Sequence, residues 1–429
     1  MLKTRFIFVA LICASPAILL WDGLIMQAIV AGLVAIVLGI IGQMLRPGET
    51  GFFIPLVRPL AVVAAVPALW MLIQALPLRI FANPIWMSAE QALAHPISST
   101  ISIDPGASIV ALGQYLSMGA VALVSAAIAV DRQRAEWILF ALVAASTAIA
   151  LMVLVHDLFD PGLLVHALMR TQAIDCVGLG VILATAAYVR TIEREESHLN
   201  SQRAKPVLLR SSFAFSIAAL AICVAALIFD GYWTLFAVGC GLAAFASVLV
   251  IRRFARGPWD AVFMATVPII AVAFLLAYRP PLEGKTAPLA LMAAPSASLT
   301  LSERVLEDAP LVGTGAGTFA AIAPIYREID DPPPGPVAAT TAMAFAIELG
   351  KPMFSLIAMA TVVAIFVLLR ATLRRGRDSF YPALAGSSLI TIVLLAFTNA
   401  GLLGTATSLM AAAVLGLGFA QSRSRSARL

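Results

Sequence analysis

Charge is what this sequence has least of. Only 12% of its 429 residues are Asp, Glu, Lys or Arg, while 61% are hydrophobic; soluble domains carry about 25% charged residues. So little polar surface cannot cover a water-soluble fold, and the chain reads as a polytopic membrane protein. Histidine is scarce as well, four residues in all, with no two at the helical spacing of a metal site. The four cysteines, Cys13, Cys176, Cys223 and Cys240, lie in apolar stretches without a C-x-x-C pair. That excludes a disulfide framework and a thiolate zinc site, and leaves them as small buried hydrophobes. No metal or cofactor is expected. The net charge of +5 makes no case for nucleic acid, because its placement follows the membrane.

What the chain does have is long apolar runs. Uncharged stretches near the spanning length fall at about 6–21, 24–45, 59–76, 108–130, 137–157, 172–190, 211–229, 232–251, 260–278, 353–370, 382–398 and 403–420. They predict an all-α fold of about twelve transmembrane helices. Placing the N-terminus in the cytoplasm puts 21 of the 28 Lys and Arg residues on that side, with Arg132, Arg134, Arg252, Arg253, Arg374 and Arg375 among them. The other seven are Arg79, Arg170, Arg279, Lys285, Arg304, Arg327 and Lys351. Every second loop is then basic, the positive-inside pattern, and both termini are cytoplasmic. The opening MLKTRFIFVALICASPA has the cast of a signal peptide; a retained first helix is expected, and cleavage would leave the remaining topology unchanged. The predicted organisation is an N-terminal membrane bundle (1–278, with a first outer loop at 77–107), a long outer loop (279–352), and three C-terminal helices with a basic tail (353–429).

The long outer loop contains DAPLVGTGAGTFAAIAPIYREIDDPPPGP (308–336). Gly313, Gly315 and Gly317 let backbone N–H groups approach a ligand closely, as phosphate-cradling loops do. No GKS or GKT follows and no alternating strand precedes, so neither a Walker loop nor a dinucleotide fold is present. On the outer face ATP is absent as well. Arg304 and Arg327 flank the turn, with Arg279 and Lys285 upstream, and arginine forks suit phosphate. Glu303, Glu307, Asp308, Glu328, Asp330 and Asp331 are interspersed, so a surface turn with mutually paired charges fits the same residues. Arg304 paired with Glu307, and Arg327 with Asp330 or Asp331, are the structural alternatives.

Four segments, in order, resemble the O-antigen ligase and polymerase superfamily of bacterial envelopes. WMLIQALPLRIFANP (70–84) is similar to its W-x-x-PLP…SP entry to the first outer loop. ISIDPGASIVALGQYLS (101–117) resembles its S-x-x-P-x-x-T helix start. DAPLVGTGAGTFAAIAPIYRE (308–328) resembles its P-L-x-G-x-G-x-G-x-F…Y motif, and AIELGKPMF (346–354) its E-x-G-x-x-G return to the membrane. The resemblance implies an inner-membrane protein with a large periplasmic loop, acting in surface polysaccharide assembly on glycans carried by undecaprenyl pyrophosphate. Its partners would be membrane lipids, the lipid-linked oligosaccharide and other assembly proteins. Arginine would stabilise the pyrophosphate leaving group, and an outer-loop His would take the acceptor's proton. The implied substrate-binding residues are Arg304, Arg327, Arg279, Arg170, Gly313, Gly315, Gly317, Tyr326 and Glu348.

The sequence departs from that pattern at polar positions. PPPGPVAATTAMAFAIE (332–348) has no His. FDGYWTLF (229–236) and TQAIDCVGLG (171–180) lack the family's arginines. A transferase using other groups, a scaffold subunit that has lost catalysis, and a lipid or solute transporter therefore all remain open. Asp175 and Asp230 lie near the outer ends of their spans, either as functional acids or as groups reaching the interface. His95, His156 and His166 fall on the outer side. Trp70, Trp86 and Trp233 fit an interfacial belt.

Overall fold

The computed structural model describes residues 2–44, 47–78, 82–159, 162, 164, 167–199, 206–228, 232–254, 289, 297–328, 337–374 and 378–422. The regular elements there are helices: α1 Leu2–Cys13, α2 Ser15–Leu20, α3 Leu24–Met44, α4 Pro47–Ala75, α5 Ile85–Leu93, α6 Pro105–Ala129, α7 Arg132–Phe159, α8 Ala167–Leu199, α9 Pro206–Ile228 and α10 Tyr232–Phe254. After these come α11 Ala297–Asp308, α12 Phe319–Ile322 with a 3-10 turn Ala323–Tyr326, α13 Thr341–Glu348, α14 Lys351–Arg374, α15 Phe380–Ala396, a 3-10 turn Gly401–Leu403 and α16 Thr405–Ala420.

Among the described residues eight helices are long and apolar enough to cross a membrane: Leu24–Gln43, Val57–Ala75, Pro105–Ala129, Arg132–Phe159, Leu168–Arg194, Ser211–Ile228, Trp233–Arg253 and Lys351–Arg374. Three shorter apolar helices accompany them, Thr4–Cys13, Phe380–Ala396 and Thr405–Ala420. The chain is an all-helical polytopic membrane protein. The expected span at 260–278, with Arg279 and Asp230, lies outside the described residues.

The expected first span is in two pieces, and Pro16 is the reason. It has no N–H to give the carbonyl four residues back, Ile12. The Ser15 hydroxyl takes that carbonyl instead, at 2.6 Å, and the chain resumes as α2.

Helix α8 is the centre of the bundle, with 83% of its apolar window buried; it packs against α7, α9, α10, α15 and α16. Close crossings rest on small residues, as membrane interfaces require: Gly416 of α16 lies against the Ala122 carbonyl of α6, and Gly418 against Ala385 of α15. At the other extreme, only 6% of the α14 window is buried, and Met359, Val362 and Phe366 stand exposed. Such apolar exposure is tolerable against lipid and not against water.

The two ends of the bundle differ. One gathers the basic starts and stops of helices around Glu136 of α7, which pairs with Arg190, with Arg194 at 3.4 Å and with Arg132 at 4.0 Å. Arg132 also reaches Asp378 at 2.8 Å, and Arg252 bonds Ser379. The other end collects the loops at 76–104, 309–350 and 397–404. There α11, α12, the 3-10 turn and α13 enclose a small core of their own, including Val305, Leu306, Phe319, Met343 and Ile347. Within the first loop lies α5, an amphipathic helix none of whose residues is buried.

Candidate functional site

At the loop-bearing end, α4 finishes with two side chains that reach far along the sequence. Trp70 donates its indole N–H to the Leu349 carbonyl (2.8 Å). Gln74, fully buried, donates through Nε2 to the carbonyls of Val312 (2.9 Å) and Glu348 (3.0 Å). The returning strand of chain before α6 continues the weave. Ser102 N–H donates to the Gln74 carbonyl (3.0 Å) and Ile103 N–H to the Thr314 carbonyl (2.9 Å). Asp104 caps α6 through the Ala107 N–H at 3.0 Å, a favourable N-cap. One turn into α6, Ser108 bonds the Ala316 carbonyl at 3.0 Å.

The glycine turn fills the centre of this weave. Gly313 and Gly315 have φ of +82° and +109°, where a side chain is strained. A Cβ on the first would collide with the Glu348 carbonyl, and on the second with the Ser102 hydroxyl. The turn's donors are engaged by the protein. Thr314 N–H goes to the Ile347 carbonyl and Gly315 N–H to the Glu348 carbonyl, both at 3.0 Å. Gly317 N–H donates to Glu348 Oε2 at 2.8 Å and Phe319 N–H to Glu348 Oε1 at 3.3 Å. The anion seated on the glycine motif is thus the protein's own carboxylate. Burial pushes that carboxyl up to about 7, and the two N–H groups pull the other way.

Two of the expected arginines, Arg304 and Arg170, are held by separate carboxylates. Arg304, on α11, pairs with Glu328 at 3.1 Å and donates to the Tyr326 carbonyl at 3.3 Å; its expected pairing with Glu307 is replaced because Glu328, after the 3-10 turn, folds back over it. Arg170 pairs with Asp157 of α7 at 3.2 Å rather than approaching Asp175. Arg327 is exposed beside Tyr326, and its proposed partners Asp330 and Asp331 lie outside the described residues. Tyr326 is half-buried, with its phenol raised by burial and by Asp308 alongside.

A second polar group lies against the N-terminal half of α8. Asp22, in the turn between α2 and α3, accepts from Thr405 Oγ1 (2.6 Å), Thr405 N–H (3.3 Å) and Gln172 Nε2 (2.9 Å). Asp175, fully buried, accepts from Asn399 Nδ2 at 3.0 Å. Sequence reasoning singled out Asp175 and missed Asp22, Gln172, Asn399 and Gln74. The available signal was a charged or amide residue at the edge of an apolar run, which also marks an ordinary interfacial residue. The tryptophans do more than mark an interface, since Trp86 bonds the Ser102 carbonyl at 3.2 Å. His95 is exposed with Nδ1 against its neighbouring Pro96 carbonyl, and His156 is half-buried on α7; His166 lies outside the described residues. Among the described residues no group of three or more His, Cys, Asp or Glu is placed to hold a metal ion. The sequence matches no protein-family model and no curated protein.

Proposed function

We propose that the chain is a divergent O-antigen ligase or polymerase-like transferase of the bacterial inner membrane, acting on undecaprenyl-pyrophosphate-linked glycan at the periplasmic face. One observation carries this reading: the four segments that resemble that superfamily, separated by up to some 280 residues, meet in a single hydrogen-bonded weave. Trp70 and Gln74 of the first, Ser102 and Ser108 of the second, Gly313–Phe319 of the third and Glu348 of the fourth bond one another directly. In the reaction the acceptor hydroxyl attacks the anomeric carbon, the bond to pyrophosphate breaks, and the acceptor's proton passes to a base. Arg304 and Arg327 flank the glycine turn along the chain, and Lys351 follows Glu348. Arg304 can exchange Glu328 for a phosphate, because that carboxylate is 70% exposed and exposed pairs are weakly held.

A deletion strain tests the reading. Accumulation of carrier-linked glycan, reversed by the wild-type gene, is the expected result; an unchanged lipid-linked profile and normal surface polysaccharide would sink it. A second reading, a scaffold subunit without catalysis, is favoured by the engaged glycine donors and by VAATTAMAF (337–345), where a His was expected. The Arg304→Ala, Arg327→Ala double variant separates the two: it fails to restore the deletion strain if the arginines hold pyrophosphate, and restores it if the protein only assembles others.

A further inference from the structure

The group around Asp22 has no part in the weave and none in the transferase reading. Its setting is unusual for a membrane protein. Helices α15 and α16 have 17 and 16 residues, about 26 and 24 Å at 1.5 Å per residue, short of the roughly 30 Å hydrocarbon thickness. The irregular connection 397–404 joins these two short helices at the loop-bearing end of the bundle; irregular backbone close to the hydrocarbon survives only if buried in protein or lining a polar site. Discontinuous helices of this kind place backbone carbonyls and side-chain oxygens around cations.

The side chains there are rich in acceptors. Among the described residues the donors to Asp22 are neutral, the Gln172 amide and the Thr405 N–H and hydroxyl. Asp175 lies one turn further along the same face of α8 as Gln172, within the candidate span Leu168–Arg194. Gln172 is 1% exposed, and while its Nε2 serves Asp22, its Oε1 has no hydrogen-bond partner. A buried amide oxygen without a donor is costly, and here it sits beside carboxylates. The nearest basic residue in sequence, Arg170, is occupied by Asp157. The 399–405 segment is fitted tightly to the group: a side chain at Gly401 would fall 2.5 Å from Asp175 Oδ2, and one at Gly404 would overlap the Gln172 amide. Asp22 is half-buried in a turn, so an ion can enter from that end of the bundle.

We propose that Asp22, Gln172, Asp175 and Thr405 form a binding site for a monovalent alkali cation, with Asn399, whose Oδ1 accepts the Gly401 N–H at 2.7 Å, positioning Asp175. Carboxylate, amide and hydroxyl oxygens are ligands for hard cations. A divalent ion is disfavoured because no third acid, His or Cys joins the group among the described residues. The bound ion would neutralise buried negative charge and tie the turn after α2 and the 397–404 connection to α8.

The test is the thermal midpoint of the full-length protein in detergent, measured in NaCl, KCl, LiCl and choline chloride at one ionic strength. A rise of several degrees, saturating with one alkali cation and absent in choline, is expected. Asp22→Asn and Thr405→Val should lose it, and Glu307→Gln, on the exposed face of α11, should retain it. Equal midpoints in all four salts, or an undiminished shift in Asp22→Asn, would overturn the proposal. If the variants do not fold, equilibrium binding of radioactive sodium and potassium to the wild-type protein decides it: one saturable site is expected, and no saturable binding of either ion refutes it.

Discussion

Glu348 closes the glycine turn on itself: its Oε2 accepts the Gly317 N–H at 2.8 Å, and its Oε1 the N–H of Phe319 two residues on. A motif that looks built for a phosphate is filled from within, by a carboxylate from α13. The loop's N–H groups are therefore oriented by the protein's own side chain.

That contact has a pH signature. The folded carboxyl is held at about 7, above its ordinary 4.5, because burial outweighs the two N–H groups. Between those values the folded protein binds the extra proton, so stability falls as pH rises from about 4.5 to about 7 and levels off above. Glu348→Gln carries no such titration and should lack this decline. The comparison is the difference in thermal midpoint between wild type and Glu348→Gln at pH 5, 6, 7 and 8. A constant difference across that range would show that Glu348 does not titrate there.

The glycines should differ in how badly they tolerate a side chain. Gly315→Ala meets the Ser102 hydroxyl and a φ of +109°, a strained conformation costing about 1–3 kcal/mol before the overlap is counted. Gly317→Ala has a φ of +73°, and its Cβ would rest 3.3 Å from the Ala107 carbonyl, so its cost is mainly the left-handed backbone, about 1–2 kcal/mol. The thermal midpoint should therefore drop further for Gly315→Ala than for Gly317→Ala; the reverse order would contradict the packing around Ser102.

How much of this was legible beforehand depends on what each residue answers to. The helices of the bundle could be read from apolar runs, because lipid asks only for length and hydrophobicity. The break at Ala14 was not anticipated, although Pro16 stood in view, since prolines are also accommodated within helices here: α4 contains Pro55, Pro59 and Pro67. The weave was only half legible. Gly313, Gly315, Gly317 and Glu348 stand out by motif, yet the motif fits a ligand cradle and a turn with mutually paired charges alike. Whether an N–H faces a ligand or a carboxylate 31 residues away is decided by tertiary packing, on which spacing is silent. Gln74 and Asp22 give only an ambiguous signal: a lone amide in an apolar helix and a lone acid in a turn have the same sequence appearance whether they face lipid headgroups, solvent or a buried partner.

Gln74 is a sharp probe of the weave because it serves two carbonyls from one buried amide. Gln74→Leu takes that donor from the Val312 carbonyl, at about 1–3 kcal/mol if it is left unsatisfied, while the Glu348 carbonyl keeps the Gly315 N–H. Gln74→Glu, at neutral pH, sets a carboxylate against the same two oxygens and should destabilise further. Limited proteolysis of the 309–350 segment reads the effect, with susceptibility increasing from wild type to leucine to glutamate. Equal cleavage in all three would mean that Gln74 does not hold the loop to α4.

At the opposite end, Glu136 is the shared partner of three arginines, and the most buried of them sets the cost of losing it. The Arg190 side chain is 5% exposed and that of Glu136 13%. Replacing Glu136 by Gln removes the negative charge and keeps the shape, so Arg190 is left as a buried cation. Removing one member of such a pair costs about 3–5 kcal/mol, far more than an exposed pair is worth. Arg194→Gln, whose side chain is 44% exposed, should cost under about 1 kcal/mol. The thermal midpoint should therefore fall strongly in Glu136→Gln and little in Arg194→Gln. A Glu136→Gln, Arg190→Met double variant should recover part of the loss, because the uncompensated charge is gone. Failure of that recovery would mean that the cost of Glu136→Gln lies in some other contact of Glu136.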